Sequence, residues 1–207
     1  MLFRSTRIAH GSPIVWGKGN DAQVVSETGD VVQGFDPRQG RLLWTCKVVG
    51  EGKVPTPVIG DGMVFTSGGW GGKGTTKAFR LGGEGDMGES RLAWEQKKGM
   101  PTMSSMVFVG GRLYAVTDGG VATCMDAASG NVVWQERLGG NFSASPVVAA
   151  GRIYFTSDAG VTSVIEAGPE FRLVARNDLG ESMQASPALA DGRWYIRTAG
   201  SLVCVGK

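Results

Sequence analysis

The sequence predicts an all-β fold, a β-propeller of four-stranded antiparallel blades, and three observations carry that prediction. A phrase of proline, short apolar run, glycine-bearing turn and aromatic residue spans Pro57 to Phe65, Pro146 to Tyr154 and Pro187 to Tyr195. Met106 to Tyr114 repeats it with methionine in place of proline. A second phrase sets Asp four residues before Gly and Gly four before Trp, as Asp36, Gly40, Trp44 and as Asp126, Gly130, Trp134. Finally, no stretch between the Gly and Pro punctuation holds a 3.6-residue apolar period over ten residues, which a helical repeat needs. Self-similarity at a period of about 40 residues signals an array of one supersecondary unit.

The copy from Ser104 to Leu138 shows the unit strand by strand. Val107 to Val109 is apolar, Gly110 and Gly111 supply the positive φ of a tight hairpin, and Leu113 to Val116 is rich in β-formers. Asp118-Gly-Gly120 turns into Val121 to Met125, and Asp126 to Gly130 turns into Asn131 to Glu136. Four strands in one period make one propeller blade, and radial repetition protects the sheet edges. The blades are expected at 10–48, 54–98, 102–138, 143–179 and 184–207, giving four complete blades and a three-stranded fifth in one domain over 1–207.

In the second phrase the Asp side chain can bond turn amides, Gly takes the left-handed position, and Trp brings a large flat surface to its neighbour. This pattern resembles the tryptophan-docking motif of the pyrroloquinoline-quinone (PQQ)-like repeat family, within the quinoprotein alcohol dehydrogenase-like propellers. The resemblance covers nearly the whole chain and is nearest to the non-enzymatic BamB-like propellers of bacterial envelopes. It implies a structural role for Asp36, Gly40, Trp44, Trp94, Asp126, Gly130 and Trp134, with the Ser-Pro strand near the axis and the Trp strand outward. Blade 2 keeps Trp94 but replaces the Asp-to-Gly turn by the longer Leu81 to Gly88. Blade 4 has Ala175 where Trp would stand, so docking should be weakest there.

Family members usually close with seven or eight blades, so this chain is expected to supply the C-terminal part of a longer ring. In the alternative, Met1 to Ala9 adds the missing outer strand of the last blade and closes a five-bladed ring. An open arc would favour self-association.

Composition excludes several function classes. Lys and Arg number 21 against 19 Asp and Glu, giving net charge +2 with no basic stripe, so nucleic acid is not an expected partner. No apolar run approaches the roughly 18 residues of a spanning helix. The three cysteines, Cys46, Cys124 and Cys204, lack Cys-x-x-Cys spacing and are expected as free, buried core residues. His10 is the only histidine, and no carboxylate cluster has ligand spacing, so no metal site is expected. Gly69 to Gly74 fits G-x-G-x-x-G by letter but lacks the following helix that a dinucleotide site requires.

The dehydrogenases that share this repeat hold PQQ and calcium with axial acidic and amide ligands and adjacent cysteines. No Cys-Cys pair occurs here, so neither cofactor is expected and no catalytic residue is assigned. The leading expectation is a non-catalytic scaffold binding a protein or peptide in the periplasm or cell envelope of a bacterium. Blade 2 offers the longest loops, Ser67 to Thr76 and Gly82 to Ser90, with Trp70 and Lys73 as contact residues, and Phe142 is expected as an apolar anchor. The alternatives are a piece of a PQQ- and calcium-dependent dehydrogenase and the sensor propeller of a kinase-linked signalling protein.

Overall fold

The structure is a computed structural model that describes residues 9–48, 54–70 and 73–206. Blade 1 comprises β1 (Ile14–Trp16), β2 (Gln23–Glu27), β3 (Val31–Phe35) and β4 (Leu42–Lys47), with a 3-10 turn at Gly19–Asp21. Blade 2 comprises β5 (Val58–Gly60), β6 (Met63–Trp70), β7 (Lys73–Arg80), then an inserted β8 (Gly85–Gly88) and β9 (Leu92–Met100). Blade 3 is β10 (Val107–Val109), β11 (Arg112–Val116), β12 (Val121–Asp126) and β13 (Val132–Arg137). Blade 4 is β14 (Val147–Ala149), β15 (Arg152–Thr156), β16 (Val161–Glu166) and β17 (Leu173–Asp178). Blade 5 has β18 (Ala188–Ala190), β19 (Arg193–Arg197) and β20 (Leu202–Val205). Each blade is an antiparallel meander in sequence order, and the strands of blade 3 fall within one residue of their expected bounds.

The first turn of each repeat explains its glycine. Asp61-Gly62, Gly110-Gly111, Ala150-Gly151 and Asp191-Gly192 all place two successive residues at positive φ, from 47° to 75°. That is the signature of a two-residue hairpin whose twist matches its strands. Buried residues follow one another along β11, β12, β15 and β16 rather than alternating, so both faces of these inner strands are covered by neighbours.

Three apolar clusters fill the blade boundaries. Between blades 1 and 2 lie Val25, Val32, Trp44, Val64 and Phe79. Between 2 and 3 lie Phe65, Ala78, Met106, Leu113 and Met125, and between 3 and 4 lie Tyr114, Cys124, Phe142, Ile153 and Phe155. The fourth strands β13 and β17 are largely exposed, whereas the first strands β5 and β10 contact each other. The Trp-bearing strand is therefore the outer one.

Two expectations need correction. The segment Gly82 to Ser90 is not a free loop: β8 pairs in parallel with β4, in the register Trp44 with Gly85 and Cys46 with Gly88, and becomes a fifth strand of blade 1. Cys204 is exposed while Cys46 and Cys124 are buried; all three are free. Cys204 lies on β20, whose outer edge carries no fourth strand among the described residues. The suggested closing strand at Met1 to Ala9 lies, apart from Ala9, outside the described residues.

Candidate interaction face and the blade boundaries

The two ends of the blades differ in how their turns are held. At one end, a hydroxyl immediately before the first strand of each blade links it to the next. Ser12 N–H donates to Thr56 Oγ1 at 3.1 Å, Thr56 N–H to Ser105 Oγ at 2.9 Å, Ser105 N–H to Ser145 Oγ at 3.0 Å, and Ser145 N–H to Ser186 Oγ at 2.9 Å. This belt gives the repeated Ser-Pro phrase a physical reason: hydroxyl acceptance joins the blades and proline starts the strand without needing an amide partner.

The same end is tied by carboxylates. Asp118 accepts from the backbone N–H and the hydroxyl of Thr102 and from Met103 N–H; Asp158 accepts from Ser143 N–H at 2.8 Å and Ser143 Oγ at 3.1 Å. In blade 5 Ala199 takes the place of the aspartate. Glu181 compensates by accepting from Thr198 Oγ1, Gly200 N–H and Ser201 Oγ, bonds that hold its carboxyl below the usual carboxylate range.

At the opposite end the outer tryptophans cross blade boundaries. Trp94 Nε1–H donates to the carbonyl of Ala127 at 2.9 Å, and its ring lies so close to Gly130 that a Cβ there would come within 2.6 Å. Trp134 Nε1–H donates to the carbonyl of Gly168 at 3.3 Å and meets Phe171 edge-on at 5.3 Å. The Gly168 carbonyl also accepts from Tyr114 Oη at 3.3 Å and lies 3.9 Å from Cys124 Sγ. Three successive strands of blade 3 thus converge on one peptide oxygen of blade 4. Burial pushes the Tyr114 phenol up to about 12 and also raises the Cys124 thiol.

Trp44 behaves differently because blade 2 has no short third turn to offer. Its Nε1–H donates within its own blade, to Gln23 Oε1 at 2.7 Å, and its ring packs over Gly34, where a Cβ would sit 2.2 Å from the indole nitrogen. The turns that carry the other two motif residues are alike. Asp36 Oδ1 accepts from Arg38 N–H at 2.8 Å and Asp126 Oδ1 from Ser129 N–H at 2.9 Å, while Gly40 and Gly130 adopt φ of 64° and 74°. The Ser129 bonds hold the Asp126 carboxyl low.

Of the residues expected to touch a partner, Lys73 is exposed at the start of β7. The side chain of Trp70 lies outside the described residues. Phe142 is a correction: it is buried at 2% exposure among Val116, Leu138 and Phe155, and its N–H donates to the Asp118 carbonyl. Its place just before the first strand of blade 4 suggested an apolar anchor for a partner, but the adjacent blade boundary buries it.

The clearest projection is the hairpin of β6 and β7. These strands have eight residues each, against five and six for β11 and β12, and remain paired as far as Trp70 with Lys73. Close packing requires glycine there: a Cβ on Gly69 would lie 2.2 Å from the Lys73 carbonyl oxygen, and one on Gly74 2.1 Å from that of Met100. Among the described residues no three His, Cys, Asp or Glu side chains converge as metal ligands. No helix among them is long and apolar enough to cross a membrane.

Antiparallel four-stranded blades, tied by an inner hydroxyl belt and outer tryptophans, define the blades of a β-propeller. Residues 86–168 match the family described as outer membrane protein assembly factor BamB. The fold is similar to the crystal structure of BamB from Moraxella catarrhalis, with a TM-score of 0.71 and 14% identity, covering 96% of this chain and 61% of that one. The chain thus spans about three-fifths of that structure's length. A europium-containing methanol dehydrogenase also matches, at TM-score 0.47 and 11% identity, over 58% of this chain and 23% of that one. No curated protein matches in sequence.

Proposed function

We propose that this chain is a non-catalytic, protein-binding propeller of the bacterial cell envelope that contributes to outer-membrane protein assembly. The observation that carries the reading is the likeness of nearly the whole chain to BamB, joined to the match of residues 86–168 to the assembly-factor family. The extended hairpin of blade 2 supports it, because a two-stranded arm with an exposed Lys73 presents backbone and side chains beyond the level where blades 3 and 4 turn. The partner is a protein or peptide, and no PQQ or calcium takes part.

A photo-crosslinking side chain at Lys73 tests the contact in living cells. The expected result is a crosslink to one defined envelope protein, absent when the same side chain replaces Val133 on the outer rim, which is exposed at 40%. No crosslink from Lys73, or the same products from both positions, would overturn the proposal.

A further inference from the structure

Blade 5 lacks a carboxylate that blades 3 and 4 both use at the belt end. In those blades an aspartate accepts from the backbone N–H two residues before the belt serine: Asp118 from Met103 at 3.3 Å and Asp158 from Ser143 at 2.8 Å. The corresponding pair in blade 5 is Ala199 and Gln184. Backbone bonds establish the correspondence, since Asp158 N–H donates to the Asn141 carbonyl and Ala199 N–H to the Ser182 carbonyl, each at 2.8 Å. Ser145 and Ser186 then follow those carbonyls at the same spacing and join each other in the belt.

Alanine removes the acceptor and leaves the donor. Gln184 N–H has no acceptor among the described residues. Glu181 does not supply one, because its carboxylate is committed to Thr198 Oγ1, Gly200 N–H and Ser201 Oγ. A cleft of about 510 Å³ stands open between the turns of blades 4 and 5, and Asp158, Ser182, Gln184, Arg197, Thr198 and Ala199 line it. Both the alanine and the orphaned residue therefore border the space. Arg197 adds a cation where blade 3 has Val116 and blade 4 has Thr156 at the end of the same strand. Its Nε–H donates to the Thr198 carbonyl at 2.9 Å, and its terminal N–H groups have no partner among the described residues. Asp158, the acidic residue of the lining, is already engaged by Ser143 N–H and Oγ.

We propose that this cleft binds a carboxylate from outside the chain. The ligand takes the acceptor place that Asp118 and Asp158 hold in the preceding blades, receiving the Gln184 N–H and the charge-assisted bonds of the Arg197 guanidinium. The volume leaves room for the molecule that carries the group. The negative charges of Asp158 and Glu181 nearby favour a ligand with one carboxylate over a ligand with several. Two sources share this chemistry, a free small monocarboxylate and an acidic side chain of a polypeptide.

Proton–nitrogen NMR of the full chain, followed at the Gln184 amide and at Arg197 Nε at constant ionic strength, tests the site. The probes are acetate, the tripeptide acetyl-Ala-Glu-Ala-amide and its uncharged counterpart acetyl-Ala-Gln-Ala-amide. Saturable shifts at both groups are expected with a carboxylate probe and none with the uncharged tripeptide. Affinity should fall about tenfold or more in Arg197→Gln, which removes the charge-assisted bonds. Ala199→Asp, which restores the internal carboxylate, should abolish binding; Arg197→Gln carries the test alone if Ala199→Asp does not fold. Binding of the acidic tripeptide alone or of both probes assigns the site to a polypeptide side chain, and binding of acetate alone to a free acid. No saturable shift with either carboxylate, equal shifts with the uncharged tripeptide, or unchanged affinity in the folded variants would overturn the proposal.

Discussion

The indole of Trp94 donates its N–H to the carbonyl of Ala127, 33 residues on and one blade away, at 2.9 Å. The bond joins the outer strand of one blade to the third turn of the next, and the ring covers Gly130 of that turn. Trp94→Ala should cost about 3–5 kcal/mol, the range for deleting a large aromatic from a packed boundary. Trp94→Phe keeps most of the apolar surface but orphans the carbonyl, for about 1–3 kcal/mol. Urea unfolding followed by intrinsic fluorescence measures both, and equal values for the two variants would mean that the hydrogen bond, not the ring, does most of the holding.

The hydroxyl belt gives a second, smaller effect. Ser145 accepts from Ser105 N–H and its own N–H donates to Ser186. Ser145→Ala removes the acceptor and leaves its own donation intact, so a loss of about 1 kcal/mol is expected. Native-state hydrogen exchange at Ser105 should speed up while exchange at Ser145 stays slow.

The phenol of Tyr114 carries a pH dependence. Its pKa is raised from 10.0 to about 12, chiefly by burial, so the folded protein holds that proton more tightly than the unfolded chain. The contribution is fully present below pH 10 and is lost as pH rises through the folded value near 12, because ionisation then favours the unfolded state. Tyr114→Phe should flatten the fall in stability over that window. It should also lower stability at neutral pH by about 1 kcal/mol through loss of the bond to Gly168. Chemical denaturation in steps from pH 8 upward, within the range of pH where Arg remains protonated, reads both effects.

Replacing residues 82–90 by a short Asp-to-Gly turn like that of blade 3 should destabilise the protein. The insert supplies β8, which pairs with β4, and Met87, which packs with Trp44, Phe79 and Leu92. Hydrogen exchange along Leu42 to Lys47 should accelerate in the shortened chain. Unchanged protection there would show that β8 contributes little to blade 1.

The repeat fixed what sequence can say about the blades, because a hairpin glycine, a β-rich run and a Trp recur at constant spacing. Trp134 was legible from that spacing and Trp94 from its place in the last strand of blade 2, and each meets the turn of the next blade. The bond of Trp44 to Gln23 was not legible, because it depends on blade 2 lacking the turn that the other tryptophans use. Gly82 to Ser90 read as a loop because four residues bounded by glycines carry no strand period, and only the neighbouring edge of β4 makes them a strand. Phe142 and Cys204 were misplaced for a common reason: burial of a side chain outside the regular strands, or next to a sheet edge, is set by the neighbouring blade rather than by local pattern. The hydroxyl belt was hidden in plain sight, since its Ser-Pro phrase recurred but a hydrogen bond across about 40 residues leaves no local signature.

The most direct measurement of the scaffold role is the amount of folded outer-membrane β-barrel protein in cells lacking this chain. The same cells are then supplied with the wild type, or with a variant in which residues 69–74 give way to a two-residue Asn-Gly turn. Folded barrels are expected to fall in the deletion strain and to recover with the wild type, but not with the trimmed variant, whose unfolding midpoint should match the wild type's. Barrel levels unchanged by the deletion would contradict a role in outer-membrane assembly.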